Sequence, residues 1–222
     1  MARRGRIAIL ATFAALSATD ARGGDVIGTV RFTGPVPARP AVTTTKDRSV
    51  CGDEVEDESL LVSDGRLANV AIALKGAPAP PPATLVLDQR RCRYRPRVQV
   101  APVGSTLEIR NSDPVLHSVH GWEGRRSLFE VVTPSEGMRV PTRLGRTGLI
   151  QIRCDVHSWM VAYVLVADGP AAVTGADGTF ALRGIPAGSY VVTAWHERLG
   201  ERTLQVTVPD RGEARVDLSY GG

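Results

Sequence analysis

No window of the chain carries the three-and-four apolar spacing of a long amphipathic helix, which excludes a helical bundle. There is no CxxC pair, and with only three cysteines in 222 residues the thiolates are too few for an iron–sulfur cluster or a zinc site built on paired Cys motifs. Aromatics make up 5% of the residues, and no basic stripe is interleaved with them, so nucleic-acid binding is not expected. Beyond the amino terminus no apolar run is long enough to cross a membrane. No tandem repeat is visible.

What is present is a globular composition, 43% hydrophobic and 23% charged, with 23 Gly and 15 Pro. Val and Thr recur in short runs between turn residues, which is the pattern of many short strands. The expected fold class is all-β. "MARRGR" followed by the twelve apolar residues "IAILATFAALSA" and the small residues before Gly24 reads as a secretory signal peptide over 1–23. No Cys follows that stretch, so no lipid anchor is expected in the mature chain. The expected location is a bacterial periplasm. Without the leader, 23 basic residues face 22 acidic ones, so the formal charge of +4 belongs mostly to the leader.

"DVIGTVRFTG" and "LLVSDGRLANVAIALKG" read as strands and a hairpin, with residues 43–59 between them as a polar surface loop. "APAPPPA" (77–83) is the clearest boundary in the chain. The stretch "TLVLDQRRCRYRPRVQVAPVGSTLEIRN" gives three strands, and "LHSVHGW" gives one. Residues 123–137 read as loop, "RVPTRLGRTGLIQIRC" as two strands and "MVAYVLVAD" as a closing strand. Past Gly169-Pro170 come further strands separated by "ADG" and "IPAG". No helix is required anywhere.

Chemistry concentrates in "CDVHSWM", residues 154–160. Taken singly, Cys154 is a buried thiol, His157 a surface imidazole and Met160 core filler against an apolar strand. Taken together with His117, 37 residues upstream, they supply two imidazoles, a thiolate and a thioether. That donor set suits one copper ion in a blue electron-transfer site, where two imidazoles and a thiolate form a trigonal plane and a Met is a long, weak axial ligand. His120 lies three residues after His117, so on a strand the two side chains face opposite ways; His117 is favoured because it directly follows the loop "SDPVL". His196, in "AWHERLG", reads as structural. In an oxidising compartment an odd Cys is left over. Cys51 and Cys92 lie in unremarkable polar contexts and are expected to pair, leaving Cys154 as the thiolate.

"VQVAPVGSTLEIRNSDPVLHSVH" with "PSEGMRVPTRLGRTGLIQIRCDVHSWM" resembles a cupredoxin over about residues 83–167, with a short ligand loop of the amicyanin and pseudoazurin kind. The resemblance implies a Greek-key sandwich with one type 1 copper at one end, held by His117, Cys154, His157 and Met160. It implies single-electron transfer with a periplasmic partner such as a c-type cytochrome or an oxidoreductase. The chain departs from the family at Ser118, where an Asn often tethers the ligand loop, and at Trp159, a bulky neighbour of the metal. His157, flanked by Trp159 and Trp122, is the expected electron portal. Four protein ligands leave no open position for a substrate, so no enzyme is expected.

The flanks, "VIGTVRFTG" to "IALKG" and "VTGADGTFALRGIPAGSYVVTAWHE" to "TLQVTV", resemble the two halves of a carboxypeptidase-regulatory-like, transthyretin-type β-sandwich. The expected division is therefore 24–76 plus 170–222 for that sandwich, 77–83 as linker and 84–168 as an inserted cupredoxin domain. Three modules in series is the simpler alternative. Two other functions stay open: copper storage or delivery with the same ligands, and a structural envelope protein with a vestigial site.

Overall fold

The computed structural model describes residues 23–221, so the signal-peptide reading falls almost wholly outside the described residues. The chain is all-β, and among the described residues the sole α-helix is the single turn Arg48–Cys51.

One pair of sheets is built from both ends of the chain. Strand Gly24–Phe32 pairs antiparallel with Thr179–Ile185 and parallel with Glu213–Arg215 and Leu218–Tyr220. The facing sheet runs Ala171–Val173, Ala71–Lys75, Gly188–His196, Gly200–Val208. Alternation explains the core between them: Phe180 and Leu182 point inward while Thr179, Ala181 and Arg183 stay in solvent. Val26, Val30, Ile72, Leu74, Val192 and Tyr220 fill the interior.

The middle of the chain makes a second pair of sheets. One runs Arg139–Arg143, Thr106–Asn111, Thr84–Gln89, Tyr94–Arg95. The other runs Arg126–Thr133, His117–Glu123, Gly148–Arg153, Val161–Ala167, Val98–Pro102. Leu87, Leu107, Ile109, Val119, Ile152 and Val164 pack between them. The chain leaves the first sandwich after Lys75 and returns at Gly169-Pro170, where Leu74 N–H donates to the Pro170 carbonyl at 2.9 Å. A side chain at position 169 would meet the Leu74 carbonyl oxygen at 2.2 Å, so the return crossing needs glycine. The two sandwiches are joined by the ion pair Arg97–Glu197, at 2.5 and 2.6 Å, and by the Tyr163 ring tilted against Trp195, centroids 4.9 Å apart.

Several local expectations give way. Residues 126–133 form a full strand rather than loop, because they pair along their length with His117–Glu123. Their half-exposed sequence hides the alternation. The span 84–111 holds four strands, the extra one being the two-residue Tyr94–Arg95. The stretch 43–59 is not a plain surface loop. Ala41–Thr43 pairs with Glu54–Glu56, and the turn between them carries Asp47, the helix Arg48–Cys51 and a disulfide. That strap lies over one end of the inserted sandwich.

Candidate metal centre

His117 opens the strand His117–Glu123 and is completely buried. Its Nε2 lies 2.9 Å from Asp113 Oδ2. The Asp113 carboxylate also accepts the backbone N–H groups of Arg91 (2.6 Å) and Cys92 (2.8 Å). Asn111 fixes the turn between them: its Oδ1 accepts Asp113 N–H at 2.9 Å, and its Nδ2 donates to the carbonyls of Val115 and Thr133. The imidazole is thus oriented by a carboxylate that is itself held in place.

The strand Gly148–Arg153 runs directly into Cys154, and residues 154–160 fold back on themselves. Met160 N–H donates to the His157 carbonyl at 3.0 Å, and Cys154 N–H to the Met160 carbonyl at 3.3 Å. The sulfur of Cys154 accepts the N–H of His157 at 3.4 Å and of Ser118 at 3.5 Å. Ser118 performs the tether expected of a bulkier amide: its Oγ accepts Asp155 N–H at 2.8 Å, and its carbonyl accepts the buried Tyr94 hydroxyl.

His157 is also completely buried. Its Nε2 lies 2.9 Å from Asp47 Oδ2, a residue 110 positions away in the strap. With both Nε2 atoms engaged by carboxylates, the two Nδ1 atoms turn toward each other, 2.9 Å apart, and Cys154 Sγ sits 3.8 Å from Nδ1 of His157. Ligand atoms of His117, Cys154 and His157 all lie within 4.8 Å of one another. Met160 is buried in the same apolar cluster as Cys154.

The electrostatics match this geometry. Burial works against the Cys154 thiolate, but hydrogen bonds from His117, His157 and the two backbone amides overcome it and bring the thiol down to about 5. Burial likewise opposes a charged His117, yet Asp113 and Cys154 raise it to about 9. A buried set of two nitrogens and one thiolate suits a soft or borderline ion and is wrong for calcium or magnesium, which require oxygen ligands. The residues fit copper.

Cys51 and Cys92 are disulfide-bonded and Cys154 is a free, buried thiol. His120 stays outside the cluster. It faces the other side of its strand, with Nδ1 3.1 Å from Asp155 Oδ2 and Nε2 2.9 Å from Ser127 Oγ, and it stacks on Trp122 at 4.1 Å. His196 lies in the other sandwich, buried near Tyr220. One expectation fails outright: His157 is not an exposed electron portal, because Asp47 and the strap cover it. Trp159 does flank its ring at 5.1 Å, but Trp122 belongs to His120. Sequence reasoning missed Asp47 and Asp113. Asp113 stands four residues before His117 in the noted "SDPVL" loop, a usable signal; Asp47 has no such proximity.

No family model and no curated protein matches the chain. Among solved structures, it is similar to a purple cupredoxin from Nitrosopumilus maritimus, at 22% identity over 38% of this chain and 99% of that one, with a TM-score of 0.33. It is similar to amicyanin from Paracoccus versutus at 16% identity, over 43% of this chain and 97% of that one, with a TM-score of 0.34. A copper-containing nitrite reductase from Thermus scotoductus matches at 19% identity over 50% of this chain and 26% of its own length, with a TM-score of 0.33. The case for a metal stands on the donors and their carboxylate partners, independently of these likenesses.

Proposed function

We propose that this is an exported type 1 copper protein of the cupredoxin kind that carries single electrons. One observation carries the reading: two carboxylate-anchored imidazoles and a thiolate converge, buried, through the atoms that ligate. His117, Cys154 and His157 would hold the ion, with the buried Met160 as a further, weaker donor. When bound, copper supplies a Cu(I)/Cu(II) couple. The protein's part is to keep the donors in one geometry for both oxidation states. Asp113 and Asp47 fix the ring orientations, the amides of Ser118 and His157 hold the sulfur, and complete burial excludes water.

With both imidazoles buried, we place contact with a partner on the exposed surface beside the strand that His117 opens. Leu116 directly precedes that ligand, Val132 pairs opposite Ser118, and both are exposed apolar side chains. A small apolar face suffices for a transient redox encounter, and a periplasmic c-type cytochrome or oxidoreductase is the partner class we assign. Copper storage or delivery is the second reading, and the Cys51–Cys92 sulfurs beside His157 favour it, since on reduction they would add two thiolates.

The test is to add Cu(II) to the mature chain and record its visible spectrum. An intense thiolate-to-copper band is expected, bleached by a mild reductant and restored by an oxidant. Cys154→Ser should remove it entirely while the far-ultraviolet spectrum is unchanged. A band that survives in Cys154→Ser would overturn the ligand set.

A further inference from the structure

The Cys51–Cys92 disulfide does more than tie the strap down. Both of its sulfurs lie within 4.8 Å of a ring nitrogen of His157, and the Cys92 sulfur lies within the same distance of a ring nitrogen of His117. We propose that this disulfide is the oxidised form of a second soft-metal site, and that on reduction Cys51, Cys92 and His157 together take a Cu(I) ion. The proposal shares His157 with the copper reading above and rests on it for its biological sense. Its donors, two thiolates and an imidazole, are those that Cu(I) selects.

Each cysteine is held in place without the S–S bond. Cys92 N–H donates to Asp113 Oδ2 at 2.8 Å, and its carbonyl accepts the Trp159 indole N–H at 3.1 Å. Cys51 ends the helical turn whose start is Asp47, and its N–H donates to the Asp47 carbonyl at 2.9 Å. Asp47 in turn holds His157. Reduction therefore leaves two thiols facing the same imidazole rather than two loose strands.

Access is built in on one side. Cys51 lines an open cavity together with Arg90, Arg91, Arg93 and Arg95. Arg93 and Arg95 share Glu58, and Arg90 reaches Asp88 at 3.6 Å. Arg91 has no ion-pair partner among the described residues. Guanidinium groups around a disulfide favour an incoming thiolate and the thiolate that leaves. The reductant is a dithiol. Its thiolate attacks Sγ of Cys51, the Cys51–Cys92 bond breaks, and Cys92 leaves as thiolate. The second thiol of the reductant then displaces Cys51 from the mixed disulfide. Two electrons and two protons pass to the cysteines, and the dithiol departs as its own disulfide.

The experiment counts Cu(I). Anaerobic protein, either oxidised or reduced by a phosphine that is then removed, is titrated with Cu(I) against a chromogenic Cu(I) chelator. One imidazole serves one ion at a time, so the count is made in Cys154→Ala, where the first site is removed: its disulfide form is expected to retain no ion and its reduced form one, and that ion should protect Cys51 and Cys92 from alkylation by iodoacetamide. Equal retention in both forms, or no protection, overturns the proposal. If oxidised wild type also retains none while the reduced Cys154→Ala chain retains one, the electron-carrier reading falls and the second site stands. Adding His157→Ala to Cys154→Ala should weaken retention at least tenfold. Unchanged retention would leave only a bare dithiol and overturn the three-donor site.

Discussion

His117 and His196 are both buried, one in each sandwich, and their surroundings drive them in opposite directions. Burial opposes the charge on both. Around His117 it is outweighed by the Asp113 carboxylate and the Cys154 thiolate, and the imidazole is pushed up to about 9. Around His196 burial acts with the positive charges of Arg198 and Arg97, and the imidazole is pushed down to about 4. The same side chain at the same depth is a proton holder in one module and a neutral packing residue in the other. The partner, rather than the burial, separates a site from a core.

The largest expected consequence is a proton-linked metal affinity. At pH 7 the apo protein carries the proton on His117 and none on Cys154, so loading must release the His117 proton. Copper affinity should therefore rise about tenfold per pH unit from this group until about pH 9. Below about pH 5 it should fall more steeply as Cys154 takes up its own proton. Competition titrations with a chelator of known protonation behaviour measure this. An affinity flat between pH 7 and 9 would contradict the His117–Asp113 pairing.

The two histidines proposed as ligands differ in how they are held. His117 is anchored by a carboxylate within its own loop, His157 by one that reaches it from the strap. Asp113→Asn and Asp47→Asn should each lower copper affinity by about 10- to 100-fold, the range for partners that orient a ligand. Asp113 should cost more, since it also holds the amides of Arg91 and Cys92. Only Asp113→Asn should flatten the pH dependence above neutrality. Equal losses with equal pH profiles would mean that the two carboxylates do the same job.

These partners mark the limit of what the sequence conveys. Alternation placed most strands, because inward and outward residues differ sharply where a sheet has one wet face, as in Thr179–Ile185. It failed at Arg126–Thr133, an edge strand with half of its residues in water, and at Tyr94–Arg95, too short to alternate. Cys154, His157 and Met160 were legible because three metal-binding residue types share seven positions. His117 was legible because it is the imidazole directly behind a turn. Asp47 was not, because its role exists only once a strap 110 residues away is folded over His157 and linked to Cys92. A polar residue in a polar stretch gives no local sign of such a contact.

The smallest expected effect belongs to the histidine without a carboxylate. Native His196 stays neutral down to about pH 4, whereas an unfolded histidine protonates near its ordinary value of 6.5. Between those limits the unfolded chain binds the extra proton. Stability from this group is therefore complete above about pH 6.5 and declines as the pH falls toward 4. At pH 5 the loss is about 2 kcal/mol. Other groups titrate in the same range, so the measurement is a difference: urea unfolding of wild type and His196→Gln at pH 7 and pH 5. The variant should be less stable at pH 7, because it breaks the packing against Tyr220 and the bond accepted from Arg198 N–H. It should also lose less on acidification. If both proteins lose the same stability, His196 is not held neutral, and the opposition between the two modules disappears.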